Sequence, residues 1–367
     1  VTKKSRPDNI PIFDKCSLEL GVGTGRHFKF INFMMKNFIL VLSVCATLAG
    51  YAQDTFSIVA VDPNTGEIGS AGASCLDNIG FPGSNGAIII SDIIPGRGAI
   101  HTQSYWNATN QTNARLKMNQ GLSPAEIIAW LKPNDVNGII GSASRQYGIV
   151  DFDPQGAPRA AAHTGNSCLD WKGHRIGTNY AIQGNILLGP QILDSMEAHF
   201  LQSEGLPLAL RLMYTLQGAN VVGADSRCTN NGTSSLSAFV RLALPSDTLG
   251  SFYLDLNVPS LPAGMEPIDS LQRLFNAWAA VSTQHPLPLQ LKVFPNPSNA
   301  GAFSVSWPNE GAFDMEVIAV NGTVVRRKPL KQGINNFELG LTSGLYWLKV
   351  KSKADGTIKG MGKIIVQ

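Results

Sequence analysis

Asp225 and Arg227 stand two residues apart after the run Gln217-Gly-Ala-Asn-Val-Val-Gly223. A carboxylate and a guanidinium so placed can orient a substrate carboxylate or polarise a carbonyl, and they can equally hold their own loop as an ion pair. Gln183-Gly184-Asn185 can present amide groups to a developing oxyanion, or pack a turn against a sheet. His163 is a candidate acid–base group, because imidazole titrates near neutral pH, although a single strand histidine also serves structurally. His101, His174 and His199 do not combine with it at metal-ligand spacing, and no His-Glu-x-x-His, Cys-x-x-Cys or Gly-x-Ser-x-Gly occurs. The expected reading therefore assigns no metal and no cofactor.

Cys75, Cys168 and Cys228 are the cysteines beyond residue 52. In an oxidising setting they allow three alternative pairings, each leaving one thiol over. The favoured pairing is Cys168–Cys228, which would close a loop of roughly 60 residues and stabilise by about 4 kcal/mol on the chain-entropy model.

These side chains need a scaffold, and the pattern supplies one. Residues 55–61 alternate as a strand, Asp62-Pro-Asn-Thr-Gly66 is a turn, and the small-residue run 67–74 returns from it. A second hairpin reads at 147–152 and 157–163 around Asp153-Pro-Gln-Gly156. Helices are predicted at 113–120 and at 123–131, the latter with Ser123 as N-cap and Pro124 in its first turn. Further helices are expected at 190–204, 206–217 and 268–281, with strands at 236–243 and 251–257. Hairpins, paired helices, more strands and a last helix suggest stacked sheets with helices outside.

Two flanking regions differ from this centre. Residues 1–52 carry seven Lys/Arg against three Asp/Glu, and residues 290–367 carry ten against five, which leaves the middle with a net charge of −6. An acidic centre disfavours nucleic acid as a partner. Met35-Lys-Asn followed by an apolar run to Ala49 and small residues at Gly50 and Ala52 reads as a signal peptide over 34–52. Residues 1–33 read as an upstream extension, with Met34 or Met35 as initiator, so Gly21-Val-Gly-Thr-Gly25 is not taken as a phosphate loop. No later run reaches eighteen apolar residues, so no transmembrane segment is expected in the mature chain. Residues 285–291 read as a linker between a domain at 53–284 and a tail at 292–367. The tail shows short strands at 302–307, 313–320, 323–327, 336–339 and 345–351, a hairpin turn at Asn321-Gly322, and a closing strand at 363–367. It has no His and no Cys, which argues against chemistry there.

The tail's Phe294-Pro-Asn-Pro297, Asn-Gly turn, Ser343-Gly-Leu-Tyr-Trp-Leu-Lys-Val350 and Lys363-Ile-Ile-Val366 resemble a type A C-terminal sorting domain of the bacterial type IX secretion system. That resemblance implies a Bacteroidetes-type diderm and a small all-β sandwich. It also implies the secretion machinery as partner, and passage through the periplasm to the medium or the outer cell surface. The centre carries a second resemblance, in 55–69, in Arg145-Gln-Tyr-Gly-Ile-Val-Asp151, in His163-Thr-Gly-Asn-Ser-Cys168 and in Tyr180-Ala-Ile-Gln-Gly-Asn-Ile-Leu187. These are similar to domain of unknown function 1028, whose implied fold is α+β: the four-layer αββα sandwich of N-terminal nucleophile hydrolases. Gly223-Ala-Asp-Ser-Arg227 fits the family's run, but the extension from Cys228 departs from it.

By this resemblance Thr55 is the candidate nucleophile, with its own α-amine as base. Signal cleavage after Ala52 would leave Gln53-Asp54 ahead of it, and an amide nitrogen accepts no proton. The sequence thus carries two functional expectations. One is an exported hydrolase of amide-like bonds; the other is a non-catalytic surface module binding a small molecule or cell-wall fragment.

Overall fold

The first strand, β1 (Thr55–Val61), is fully buried, and it turns into β2 (Ile68–Ser74) where the sequence places the turn. Asp62 supplies the chemistry: its carbonyl accepts from Gly66 N at 2.8 Å, and its Oδ1 accepts from Asn64 N at 2.8 Å. Gly66 takes φ 74°, a region that only glycine enters freely. The computed structural model describes residues 55–281, 289–319 and 323–367. The upstream extension, the signal peptide, most of the linker and the Asn321-Gly322 turn lie outside the described residues.

The next elements are β3 (Ser91–Ile94), β4 (Gly98–Ser104), helices α1 (Ala108–Asn119) and α2 (Pro124–Leu131), then β5 (Arg145–Phe152), β6 (Pro158–Thr164), β7 (Gly173–Ile176) and β8 (Tyr180–Gly184). After them come α3 (Gln191–Gln202), α4 (Leu208–Gln217), β9 (Ser237–Ala243), β10 (Leu254–Val258) and α5 (Pro267–Val281). The α2 start is the expected one: Ser123 and Glu126 form a reciprocal capping box ahead of Pro124. Helix α1 begins five residues before the predicted start, because the Asn107 side chain accepts from Thr109 N and Asn110 N and nucleates an earlier turn.

The strands form two sheets. One has six strands in the order β10-β9-β2-β1-β8-β7, and the other has four in the order β3-β4-β5-β6. Alternation along β1 divides its side chains. Phe56, Ile58 and Ala60 pack with Leu193, Met196, Leu212 and Phe275 of the helices, whereas Val59 and Val61 pack with Ile93, Ala99 and Val150 of the second sheet. The far face of the second sheet packs Ile100, Tyr147 and Ile149 against Ala114, Met118, Ile127 and Leu131 of α1 and α2. The result is mixed α+β, with α3–α5 on one sheet, α1 and α2 on the other, and a core between.

The tail is all-β, from β11 (Leu289–Gln290) and β12 (Lys292–Asn299) through β13 (Ala302–Trp307), β14 (Phe313–Ala319), β15 (Val324–Leu330), β16 (Gly333–Glu338) and β17 (Gly344–Ser352) to β18 (Ile358–Val366). Its own core gathers Val305, Trp307, Met315, Val317, Leu348 and Ile364. Trp347 of β17 leaves that core and meets His199 and Tyr214 edge-on, at centroid distances of 5.8 and 6.0 Å. Lys349 Nζ donates to the carbonyls of Gln202 at 3.2 Å and Glu204 at 3.0 Å, capping the C-terminal end of α3.

The disulfide corrects the favoured pairing. Cys75 bonds Cys228, with Cα atoms 5.6 Å apart and a sequence separation of 153. Cys75 directly follows β2, beside the loop that carries Cys228. Cys168 instead is buried after β6, and its thiol donates to the Arg145 carbonyl at 3.3 Å.

Candidate active site at the start of the first strand

Four of the five residues singled out in sequence gather where β1 begins. Thr55 pairs with Ser74 across β2, and Phe56 pairs with Gly184, so Asn185 emerges from β8 beside Thr55. The Thr55 N–H donates to Asn185 Oδ1 at 3.3 Å, and Asn185 N donates back to the Thr55 carbonyl at 3.3 Å. Asn185 Nδ2 reaches Ser104 Oγ at 3.2 Å. An isolated bridge from Leu187 to Asp225 brings in the Asp225 loop. Asp225 is fully buried: Oδ2 accepts from Cys75 N at 2.8 Å and from Arg227 Nη2 at 2.7 Å, and Oδ1 accepts from Arg227 Nε at 3.0 Å. The Cys75–Asp225 hydrogen bond and the disulfide therefore fasten the same loop to the same end of β2, and the Asp225–Arg227 ion pair braces that loop from within. The extension after Arg227 is a 3-10 turn over Ser226–Asn231, closed by Asp225 N donating to the Ser234 carbonyl at 3.1 Å.

His163 is not brought to this cluster. It pairs with Tyr147 and stacks on it at 6.0 Å, on the face of β6 that meets α1 and α2, with Nε2 3.3 Å from the Ser142 carbonyl. Burial lowers its pKa, and the Ser142 carbonyl opposes that only in part.

Sequence reasoning missed a polar layer between the sheets at the Thr55 end. Ser57 Oγ donates to Gln103 Oε1 at 2.6 Å, Gln183 Nε2 donates to Ser57 Oγ at 2.7 Å, and Gln103 Nε2 donates to the Thr55 carbonyl at 3.0 Å. Gln146 accepts from Gln103 at 2.7 Å and donates to the Gly184 carbonyl at 2.9 Å, so it spans both sheets. His101 sits among Ser57 at 2.9 Å, Ser70 at 2.6 Å and Gln183 at 3.1 Å. Burial and then the Arg241 charge push its pKa down to about 3, so the ring is neutral and a poor base at neutral pH. Gly148 makes room for this layer, because a Cβ there would stand 1.9 Å from Gln183 Oε1. Its mark in the sequence is a polar residue at every second position, Ser57 after Thr55 and Gln103 after His101, which takes on meaning only once both strands are known to be buried. Among the described residues, no group of three His, Cys, Asp or Glu could hold a metal ion.

The model of the Family of unknown function (DUF1028) matches residues 55–268. The chain belongs to this family. Residues 292–367 match the secretion system C-terminal sorting domain, so the DUF1028 domain is followed by a tail whose partner is the type IX secretion machinery. That tail directs the protein to the medium or the outer surface. No curated protein matches the chain. Among solved structures, the crystal structure of a DUF1028 protein from Silicibacter pomeroyi is 23% identical, with a TM-score of 0.48, covering 64% of this chain and 95% of that one. Among the described residues of this DUF1028 protein, no helix is long and apolar enough to cross a membrane.

Proposed function

We propose that the DUF1028 domain is a four-layer αββα sandwich of the N-terminal nucleophile type, and that the exported chain hydrolyses amide-like bonds from Thr55. The observation that carries this reading is the seat of the Thr55 nitrogen, 3.3 Å from the acceptor Asn185 Oδ1. Cleavage of the Asp54–Thr55 bond would turn this amide into an amine with an ordinary pKa of roughly 7.7–8.0, suited to a base near neutral pH. Thr55 Oγ1 then attacks the substrate carbonyl carbon while its proton moves to the α-amine. The amine passes that proton to the leaving nitrogen as the C–N bond breaks, which leaves an ester on Thr55. Water hydrolyses the ester, releases the acid and restores the hydroxyl. Asn185 orients the amine, and the Asp225–Arg227 pair fixes the loop beside it.

A second reading rests on a different observation. Thr55 is only 1% exposed, and the Asp225 carboxylate is engaged by Cys75 and Arg227. A site closed in this way suits a non-catalytic module that binds a small molecule or cell-wall fragment. Assays of the exported protein on peptide and acyl anilides separate the two. Hydrolysis that falls at least about 1,000-fold in Thr55→Ala and survives in Thr55→Ser supports the nucleophile. Ligand binding without turnover in the unaltered protein supports the module.

A further inference from the structure

The opposite end of the same sheet holds a second feature, which owes nothing to Thr55. A cleft of about 550 Å³ opens between the β1–β2 turn, the start of β8 and the segment joining α3 to α4. It lies a strand's length from Thr55, about 20 Å at roughly 3.3 Å per residue. Its volume falls within the range of small-molecule sites, about 300–1,000 Å³.

Arg211 of α4 forms part of the wall. Its side chain is 8% exposed, its guanidinium lies 3.9 Å from the centre of the Phe200 ring, and Nη2 reaches the Phe200 carbonyl at 3.3 Å. Nε is buried with no hydrogen-bond partner. Among the described residues no carboxylate lies within ion-pair distance of it. A desolvated cation without a contacting counter-charge is costly, and burial correspondingly lowers the pKa of Arg211. Asp62 and Glu204 line the same cleft and offset its charge only at longer range. The Tyr180 hydroxyl is committed to Glu197, and Lys349 to the carbonyls of Gln202 and Glu204. The cleft thus presents one buried cation and two carboxylates that do not touch it.

We propose that this cleft binds a small zwitterion, an amino acid or short peptide, with its carboxylate on Arg211 and its ammonium group between Asp62 and Glu204. A ligand carrying both charges satisfies both walls at once, and a simple anion would be repelled by the two carboxylates. Calorimetric titration of the full chain with L-alanyl-L-alanine tests this, with the N-acetyl dipeptide, the dipeptide amide and acetate as comparisons. Saturable binding of the dipeptide is expected, weakened at least tenfold by blocking either end and lost in Arg211→Gln. The Asp62→Asn/Glu204→Gln double variant, which keeps the Arg211–Phe200 stack, is expected to lose the preference for the free amine. Absence of dipeptide binding, equal binding of acetate, or an unchanged preference in the double variant would each overturn the proposal; the last two outcomes decide it even if Arg211→Gln fails to fold.

Discussion

His101 shows how much a single buried side chain decides here. Its folded pKa of about 3 lies below the ordinary 6.5, so the unfolded chain binds the extra proton between those values. The contribution is complete above pH 6.5 and is lost as pH falls toward 3, amounting to roughly 5 kcal/mol at most. Urea midpoints measured between pH 7 and pH 4 should fall accordingly, and His101→Gln should flatten that fall; an equally steep acid limb in the variant would contradict the assignment. Asn185 belongs to the same scale. Replacing it by Ala removes the acceptor on Thr55 N and leaves Ser104 Oγ without that donor, a loss of about 1–3 kcal/mol in chemical unfolding. Thr55, Asn185, Asp225 and Arg227 were legible because they fall in contiguous motifs. The Ser57–His101–Gln103–Gln146–Gln183 layer was not, since it is assembled from four strands, and two of its members lie on β4, which the local pattern did not reveal.

Among the elements, the hairpin of β1 and β2 and the capped helix α2 were readable because local chemistry dictates them: the Asp62 turn and the Ser123–Glu126 box. Strand β4, Gly-Ala-Ile-His-Thr-Gln-Ser, lacked such a signal; its His101 and Gln103 face a polar layer rather than water, so the usual alternation misleads. The disulfide failed for a related reason. Spacing cannot reveal that the end of β2 and the 226–231 turn converge, which is a property of sheet order. Its loop of 153 residues is long, and the chain-entropy model gives it about 5 kcal/mol. Peptide mapping without reduction should recover a Cys75–Cys228 cross-link with Cys168 outside it. The double variant Cys75→Ala/Cys228→Ala should unfold at least about 2 kcal/mol more easily, whereas a Cys168-linked peptide would refute the pairing.

At the scale of the whole molecule, the DUF1028 domain and the sorting tail share one chain. The sorting tail keeps a separate core yet leans on α3 and α4 through Trp347 and Lys349. Trp347→Ala should weaken this docking by about 2 kcal/mol, about half of a fully buried Trp→Ala change, and calorimetry should then resolve the tail's unfolding from that of the DUF1028 domain. Deleting 292–367 should leave the chain inside the cell envelope, detected by fractionation, because the signal that the secretion machinery reads is gone. The claim on which the catalytic reading turns is where the exported chain begins. Intact-mass and N-terminal peptide analysis of the protein recovered outside the cell tests it most directly: the account predicts Thr55 as the first residue, and a chain still beginning at Gln53 would contradict it.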